Sequence, residues 1–243
     1  MPDPKTGTGR VHSFQSLGAV DGPGLRFVVF LQGCPLRCAY CHNPDTWDFT
    51  GGTEYTAEEV CRRAIRYRPY FGASGGVTLS GGEALCQPEF SAALFHLLQK
   101  EGIHTALDTS GAGDPAAARE VLRYTNLVLC DIKFTEEAAY RQYCGGSLAQ
   151  VEAFLRLTEE MGIPLWIRHV VVPGLTDREE GILRVVSIAA AYKNLQKIEL
   201  LPFRKLCQSK YDAMKLPFPL GDKPECSADR LSRLQELIPA SLR

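Results

Sequence analysis

Cys34, Cys38 and Cys41 fall within eight residues in the pattern CxxxCxxC, inside the segment GCPLRCAYCHN. One loop can turn three thiolates so spaced toward a common centre, and thiolates are the ligands of iron–sulfur clusters and of zinc. A cubane cluster has four irons, so three cysteines leave one iron open to an outside ligand, as catalytic metal sites keep an exchangeable position. Zinc is the rival, with His42 as fourth ligand. Against it, His42 abuts Cys41, and the customary second half-site with its own spaced ligands is absent. Three unliganded cysteines are the remaining reading. Spacing alone supports a metal site and leaves the metal open. The other cysteines, Cys61, Cys86, Cys130, Cys144, Cys207 and Cys226, are scattered without ligand spacing and read as small buried apolar residues.

These cysteines follow an apolar run, Leu25 to Leu31, of the β-branched and aromatic character of a buried strand. The same grammar repeats along the chain. Further strands are predicted at Val77 to Ser80, His104 to Asp108, Leu127 to Asp131, Leu165 to Val172 and Ile198 to Leu201. Thr56 and Glu59 form a capping-box pattern that opens a helix reaching about Tyr67. Other helices are predicted from Pro88 to a stop at Gly102, after Pro115, from Ser147 to Met161, from Asp177 to Tyr192 and from Asp229 to Ile238. The stretch LPFPLGDKP from Leu216 reads as a surface loop, ordered or disordered.

Strict alternation of strands and helices implies parallel strands, in a doubly wound sheet or a complete or partial barrel, and six units are too few for the eight-stranded barrel. Each predicted strand is followed by an unusual loop: GCPLRCAYCHN, SGGE, DTSG, DIK, VVPG and LPFR. In parallel α/β folds such loops share one face, where ligands bind, so the six should converge. SGGE (Ser80 to Glu83) lets a ligand approach the backbone closely, or is simply a turn. Asp108, Thr109 and Asp131 supply hard oxygen ligands for a cation or for hydroxyl groups, or else cap helices and pair with cations.

The 27 basic and 28 acidic residues give a formal net charge of −1, so no global field draws the chain to nucleic acid or an anionic membrane. With 45% hydrophobic residues the chain can bury a sizeable core. The N-terminal MPDPKTGTGRVHSF has no apolar run of the signal-peptide kind, and no segment is apolar enough to span a bilayer, so a cytoplasmic location is expected. There nine cysteines read as reduced thiols or metal ligands rather than disulfides.

CxxxCxxC followed by SGGE resembles the radical S-adenosylmethionine (SAM) enzymes. With VDGPGLRFVVFLQGCPLRCAYCHNPDTWD, the chain is similar to the glycyl-radical-enzyme activases of that family, in particular those of the pyruvate formate-lyase type. The similarity continues in the same order through ASGGVTLSGGEA, EGIHTALDTSG, LCDIK, WIRHVVVPG and KIELLPF. It implies an α/β fold, a partial (β/α)6 barrel, in a single domain spanning residues 1–243, which agrees with the strand count. It also implies an oxidoreductase that carries a [4Fe-4S] cluster on Cys34, Cys38 and Cys41, with SAM chelating the fourth iron. Reductive cleavage of SAM to a 5′-deoxyadenosyl radical would then remove a hydrogen atom from a backbone glycine of a partner enzyme, pyruvate formate-lyase being the expected one. An electron donor such as flavodoxin is typical.

By the same resemblance, Tyr40 and His42, flanking Cys41, border the nucleoside. Gly82 and the turn ending in Glu83 approach the methionine amino group, Asp131, Ile132 and Lys133 line the rest of the pocket, and Arg168 stabilises it. Asp108, Thr109 and Asp131 match residues around a monovalent cation, and Asp21 matches a position near the protein substrate. Where the family commonly has LPYH followed by LG, this chain has Arg204 after LPF and then Leu206-Cys207, so the usual histidine contact is replaced and Arg204 is expected in its place. Activases of other glycyl-radical enzymes often insert a ferredoxin-like cluster domain after the cysteine motif. Between Cys41 and Ser80 this chain has only Cys61, which favours the formate-lyase type. The alternatives are activation of another glycyl-radical enzyme and, in a different class, a zinc-binding module or an electron-transfer protein.

Overall fold

A computed structural model describes residues 7–243 of the chain. Its strands are β1 (Thr8–Gly18), β2 (Arg26–Leu31), β3 (Thr53–Thr56), β4 (Gly76–Gly81), β5 (His104–Thr109), β6 (Leu127–Asp131), β7 (Leu165–Val171) and β8 (Leu195–Pro202). They form one open sheet in the order β3-β1-β2-β4-β5-β6-β7-β8. The run from β2 to β8 is parallel throughout, and β1 pairs antiparallel with both β2 and β3. The six predicted strands are these six parallel strands, and an open parallel sheet of this kind is the partial barrel expected.

Side chains alternate across a strand, so the two faces of the sheet can be read by twos. Phe27, Val29, Leu31, Val77, Leu79, Leu107, Val128, Cys130, Ile167, Val171 and Ile198 face the helices and join the main core. The other face carries a small separate plug of Ala106, Leu127 and Leu129 packed on Trp166. Two residues further along those strands this face turns polar, at Asp108, Asp131 and Arg168, and Ser80 of the neighbouring β4 joins them through its bond to Asp108. At its N-terminal end lies Arg26, fully buried, donating to Thr78 Oγ1 (2.9 Å) and the Val77 carbonyl (2.6 Å). The apolar plug therefore separates two polar layers, and the upper one is at the strand ends.

The Thr56 capping box is present: Thr56 Oγ1 accepts from Glu59 N at 3.2 Å, and Glu59 Oε2 accepts from Thr56 N at 2.8 Å. That helix covers Ala57–Ile65, and Pro88–Lys100, Pro115–Leu122, Leu148–Glu160, Glu179–Ala190 and Ala228–Gln235 answer the other predicted helices. Two strands and three α-helices, Arg68–Phe71, Glu137–Cys144 and Gln208–Ala213, lie beyond the expectation. β1 and β3 carry no clean alternation; β1 has register shifts, and its burial follows its neighbours rather than its own period. Helices Arg68–Phe71 and Gln208–Ala213 are too short for a helical period to declare itself, and Glu137–Cys144 has no side-chain N-cap to mark its start. The LPFPLGDKP loop is ordered, with Phe218 and Leu220 buried and Phe218 stacked on Phe203 and tilted against Tyr211. No helix among the described residues is long and apolar enough to cross a membrane.

Candidate functional site

The cysteine loop starts where β2 ends and is pinned from inside. Gln32, 3% exposed, donates through Nε2 to the carbonyls of Asp45 (3.0 Å) and Asp48 (2.7 Å), and Gly33 N donates to Thr46 O at 2.7 Å. From outside, Lys210 Nζ reaches Asn43 Oδ1 (2.9 Å) and Asp45 Oδ1 (3.0 Å), and Tyr211 Oη donates to Cys41 O at 3.3 Å. Arg37 N and Ala39 N, on either side of Cys38, donate to the carbonyls of Cys144 (2.8 Å) and Tyr143 (2.7 Å). Helix Gln208–Ala213 and the end of helix Glu137–Cys144 thus hold the loop in shape.

The SGGE turn meets this loop backbone to backbone. Gly81 has φ +108°, which side-chain-bearing residues rarely adopt, and a Cβ on Gly82 would lie 2.2 Å from Gly33 O. Both glycines are required for that approach. Glu83, 1% exposed, turns away from the cavity and accepts from Leu85 N (3.1 Å), Thr109 Oγ1 (2.5 Å), Ser110 N (2.9 Å) and Ser110 Oγ (2.5 Å). It ties the ends of β4 and β5 together. Burial pushes its carboxyl pKa up against those hydrogen bonds.

One cavity gathers most of the expected residues: Cys34, Cys38, Tyr40, Cys41 and His42 from the loop, Gly82, Asp108 and Thr109, and Asp131, Lys133 and Arg168. Three residues, Glu83, Ile132 and Arg204, lie otherwise than expected of cofactor contacts. Glu83 and Ile132 are buried behind the wall. Arg204 directs its guanidinium to Cys226 O (3.1 Å) and Glu225 (3.4 Å), and meets the site only through its carbonyl, 2.9 Å from His42 Nε2. Asp21 is half-buried and outside the lining; its carbonyl accepts from Thr78 Oγ1 at 2.7 Å. Burial, then the charge of Asp108, raises the pKa of its carboxyl. Ser80, Ser110, Asn43 and Trp47 also line the cavity. The same strand-end rule that marked Asp108 could have found Ser80 and Ser110.

The polar wall is an ion network. Arg168, 7% exposed, pairs with Asp108 through Nη2 and with Asp131 through Nε at 3.3 Å, while Lys133 Nζ lies 2.9 Å from Asp131 Oδ2 and Ser80 Oγ donates to Asp108 Oδ2 at 2.7 Å. Burial works against the charge on Arg168, yet Asp108 and Asp131 outweigh it and keep the guanidinium protonated. Burial likewise opposes ionisation of Asp131, and Lys133 and Arg168 together still hold its pKa down.

The thiols show what the loop is built to receive. Burial, then the nearby Glu83, pushes Cys34 up to about 12, and burial, then Cys38, pushes Cys41 up to about 11. Only Cys38 is lowered, to about 7, by the neighbouring Cys144 thiol and, against burial, by the charge of Lys133. Three thiolates crowded into a buried loop repel one another, and a cationic centre is what makes them ionise together. Among the described residues, no three His, Cys, Asp or Glu side chains are gathered closely enough to hold a single metal ion. Three thiolates on one loop suit a cluster, in which each holds a different iron.

Known proteins resemble this chain along most of its length. Residues 28–186 match the Radical SAM superfamily. The pyruvate formate-lyase-activating enzyme of Clostridium pasteurianum is 46% identical over 231 residues, covering 95% of this chain and 97% of the relative. The chain belongs to the pyruvate formate-lyase-activating enzyme family of radical SAM proteins. Another member of this family, the pyruvate formate-lyase 1-activating enzyme of Escherichia coli (strain K12), is 44% identical over 221 residues, 89% of each chain. Two solved structures share the fold. A domain of pyruvate-formate lyase-activating enzyme from Bacteroides vulgatus aligns with TM-score 0.56 at 24% identity, over 68% of this chain and 92% of that one. A radical SAM methyltransferase from Sphaerobacter thermophilus aligns with TM-score 0.65 at 16% identity, over 90% and 66%. The inward-facing guanidinium expected of Arg204 is instead turned to Glu225 and Cys226.

Proposed function

We propose that this chain activates pyruvate formate-lyase by removing a hydrogen atom from one of its backbone glycines. The observation that carries the reading is the meeting of Cys34, Cys38 and Cys41 with the Asp108–Arg168–Asp131–Lys133 network in one cavity at the strand ends. The three cysteines would hold a [4Fe-4S] cluster, and Tyr40, His42, Gly82, Asp131, Lys133 and Arg168 would hold SAM. When bound, this pair supplies one-electron cleavage of a sulfonium and so a hydrogen-abstracting radical.

The protein's share is positioning. Gly81 and Gly82 bare the backbone where the methionine end would lie, and the buried ion network offers fixed charges that need no rearrangement as the reaction proceeds. Leu36 and Tyr40, 5% and 4% exposed, close the loop against water, as chemistry with a reactive radical demands. Asp21 stands on the concave side in the field of Asp108 and Arg168, which supports a role near an entering peptide. A monovalent cation at Asp108, Thr109 and Asp131 would share carboxylates already engaged by Arg168 and Lys133. The family also suggests a flavodoxin-like electron donor, a cytoplasmic setting and one domain over residues 1–243.

The outward turn of Arg204 favours keeping a second reading, activation of a different glycyl-radical enzyme, because the departure lies beside the cofactor pocket. The common test is anaerobic reconstitution followed by reduction with SAM. Iron and sulfide should bind, and 5′-deoxyadenosine should form with methionine. Stoichiometric zinc without iron, or an intact cluster that cleaves nothing, would reject both activase readings.

A further inference from the structure

Arg26, at the lower end of the concave face, has no part in the cofactor cavity, yet it is fully buried. Among the described residues its guanidinium donates only to uncharged groups: Thr78 Oγ1 (2.9 Å), His104 Nδ1 (3.2 Å), and the carbonyls of Val77 (2.6 Å), His104 (3.3 Å), Pro23 and Ser74 (3.5 Å each). Burial, then the charge of Arg26, pushes His104 down to about 4, so its ring is neutral at neutral pH and can accept. A buried cation without a counter-ion is costly, and a residue that merely filled space there would be served better by an apolar side chain.

What this cation holds is the loop between β1 and β2. Thr78, also fully buried, accepts from Arg26 Nε and donates to Asp21 O at 2.7 Å. Between Asp21 and Pro23, Gly22 lies on the guanidinium and on the apolar plug together: a Cβ there would be 3.5 Å from Arg26 Nε and 3.7 Å from Leu129 Cδ1. The loop thus crosses the concave face at the plug, and the Asp21 carboxyl feels Asp108 and Arg168 from above and Arg26 from below. Its own burial does little to fix its shape. Val20 is 73% exposed, Leu17 and Leu25 are exposed as well, and Leu17 takes φ +62°, which bulky side chains rarely adopt. The base of the loop is held, and its tip is bare.

We propose that Arg26 is a positioning residue: through the Thr78 hydroxyl and the carbonyls of Asp21 and Pro23 it holds the loop of residues 19–25 in the shape that receives the glycine segment of the partner enzyme. The inference rests on the role of Asp21 proposed above. A guanidinium suits the task, because its donors lie in a fixed fork and hydrogen bonds from an ionised group are stronger than those from a neutral one. The plug stands between Arg26 and the polar layer at the strand ends, so the binding and cleavage of SAM do not depend on this anchor.

The test sets hydroxyl against methyl at Thr78 in the reconstituted protein. Thr78→Val keeps the volume and removes the relay, whereas Thr78→Ser keeps the relay and removes a methyl group. Packing alone would make serine the worse variant; a relay makes it valine. With pyruvate formate-lyase as partner, Thr78→Val should raise the partner concentration at half-maximal glycyl-radical formation by about three- to tenfold, the range of one buried hydrogen bond, and leave the maximal rate unchanged. The 5′-deoxyadenosine formed without partner should also be unchanged. Thr78→Ser should stay near the wild type, and Thr78→Ala takes the place of valine should valine not fold. Chymotrypsin cleavage after Leu17 or Leu25, which needs no partner, should quicken by a similar factor in Thr78→Val and not in Thr78→Ser. Serine shifted as far as valine, or loop cleavage unchanged in Thr78→Val, would overturn the proposal. A wild type that raises no radical on pyruvate formate-lyase would reject that target alone, and the loop cleavage would still decide the anchor.

Discussion

Cys38→Ala should all but abolish the formation of 5′-deoxyadenosine while leaving the fold intact. The loop around residue 38 keeps its place without the thiol, because Arg37 N and Ala39 N still bond to Cys144 O and Tyr143 O, and Gln32 still ties the loop to Asp45 and Asp48. Truncating so small a buried side chain costs about 1 kcal/mol. What is lost is one of three attachments of the cluster. Removing a mere outer-shell partner of a metal site costs roughly 10–100-fold, so removing a ligand should lower turnover by more than about 100-fold. The check is product analysis after anaerobic reduction with SAM, with a melting curve on the same sample. Turnover retained by Cys38→Ala, with its melting temperature unchanged, would remove Cys38 from the ligand set.

Arg168→Met should cost the most stability. The guanidinium lies between Asp108 and Asp131, is 7% exposed, and is their shared positive partner. Removing one side of a buried ion pair leaves uncompensated charge and typically costs about 3–5 kcal/mol. Lys133 still balances Asp131, which places the loss at the lower end and the fall in Tm at roughly 10 °C. The pH dependence has a definite sign. Although burial raises the pKa of Asp131, Lys133 and Arg168 bring it below the ordinary aspartate value of about 3.9. A carboxyl with a lowered folded-state pKa contributes stability that is full above the unfolded value and is lost as pH falls through the folded one. The gap between wild type and Arg168→Met should therefore be full at neutral pH and shrink below about pH 4. A gap that stays constant from pH 7 to pH 3 would contradict this account of the network.

The parallel strands were legible because burial on both faces demands continuous apolar runs, such as Phe27–Leu31 and Leu127–Cys130, within strands bounded by turn residues. The convergence of the loops after them followed from topology, and Cys34, Gly82, Asp108, Asp131 and Arg168 do share a cavity. What the chain did not disclose is decided by tertiary partners. β1 and β3 are held by pairing rather than by period. Glu83 sits in a motif that points toward a ligand, yet Thr109 and Ser110 draw its carboxylate inward. Arg204 occupies a position expected to face the cofactor, and Glu225 and Cys226 turn it aside. Cys144 is buried in the core as its scattered position suggested, and only the packing of a short helix brings its carbonyl to Arg37 N, beside Cys38.

The most direct measurement of the central claim is electron paramagnetic resonance on the reduced chain mixed with SAM and pyruvate formate-lyase. A glycyl-radical signal should grow on pyruvate formate-lyase, vanish when SAM is omitted, and vanish with Cys38→Ala. No glycyl signal, under conditions in which 5′-deoxyadenosine accumulates, would contradict the proposed target.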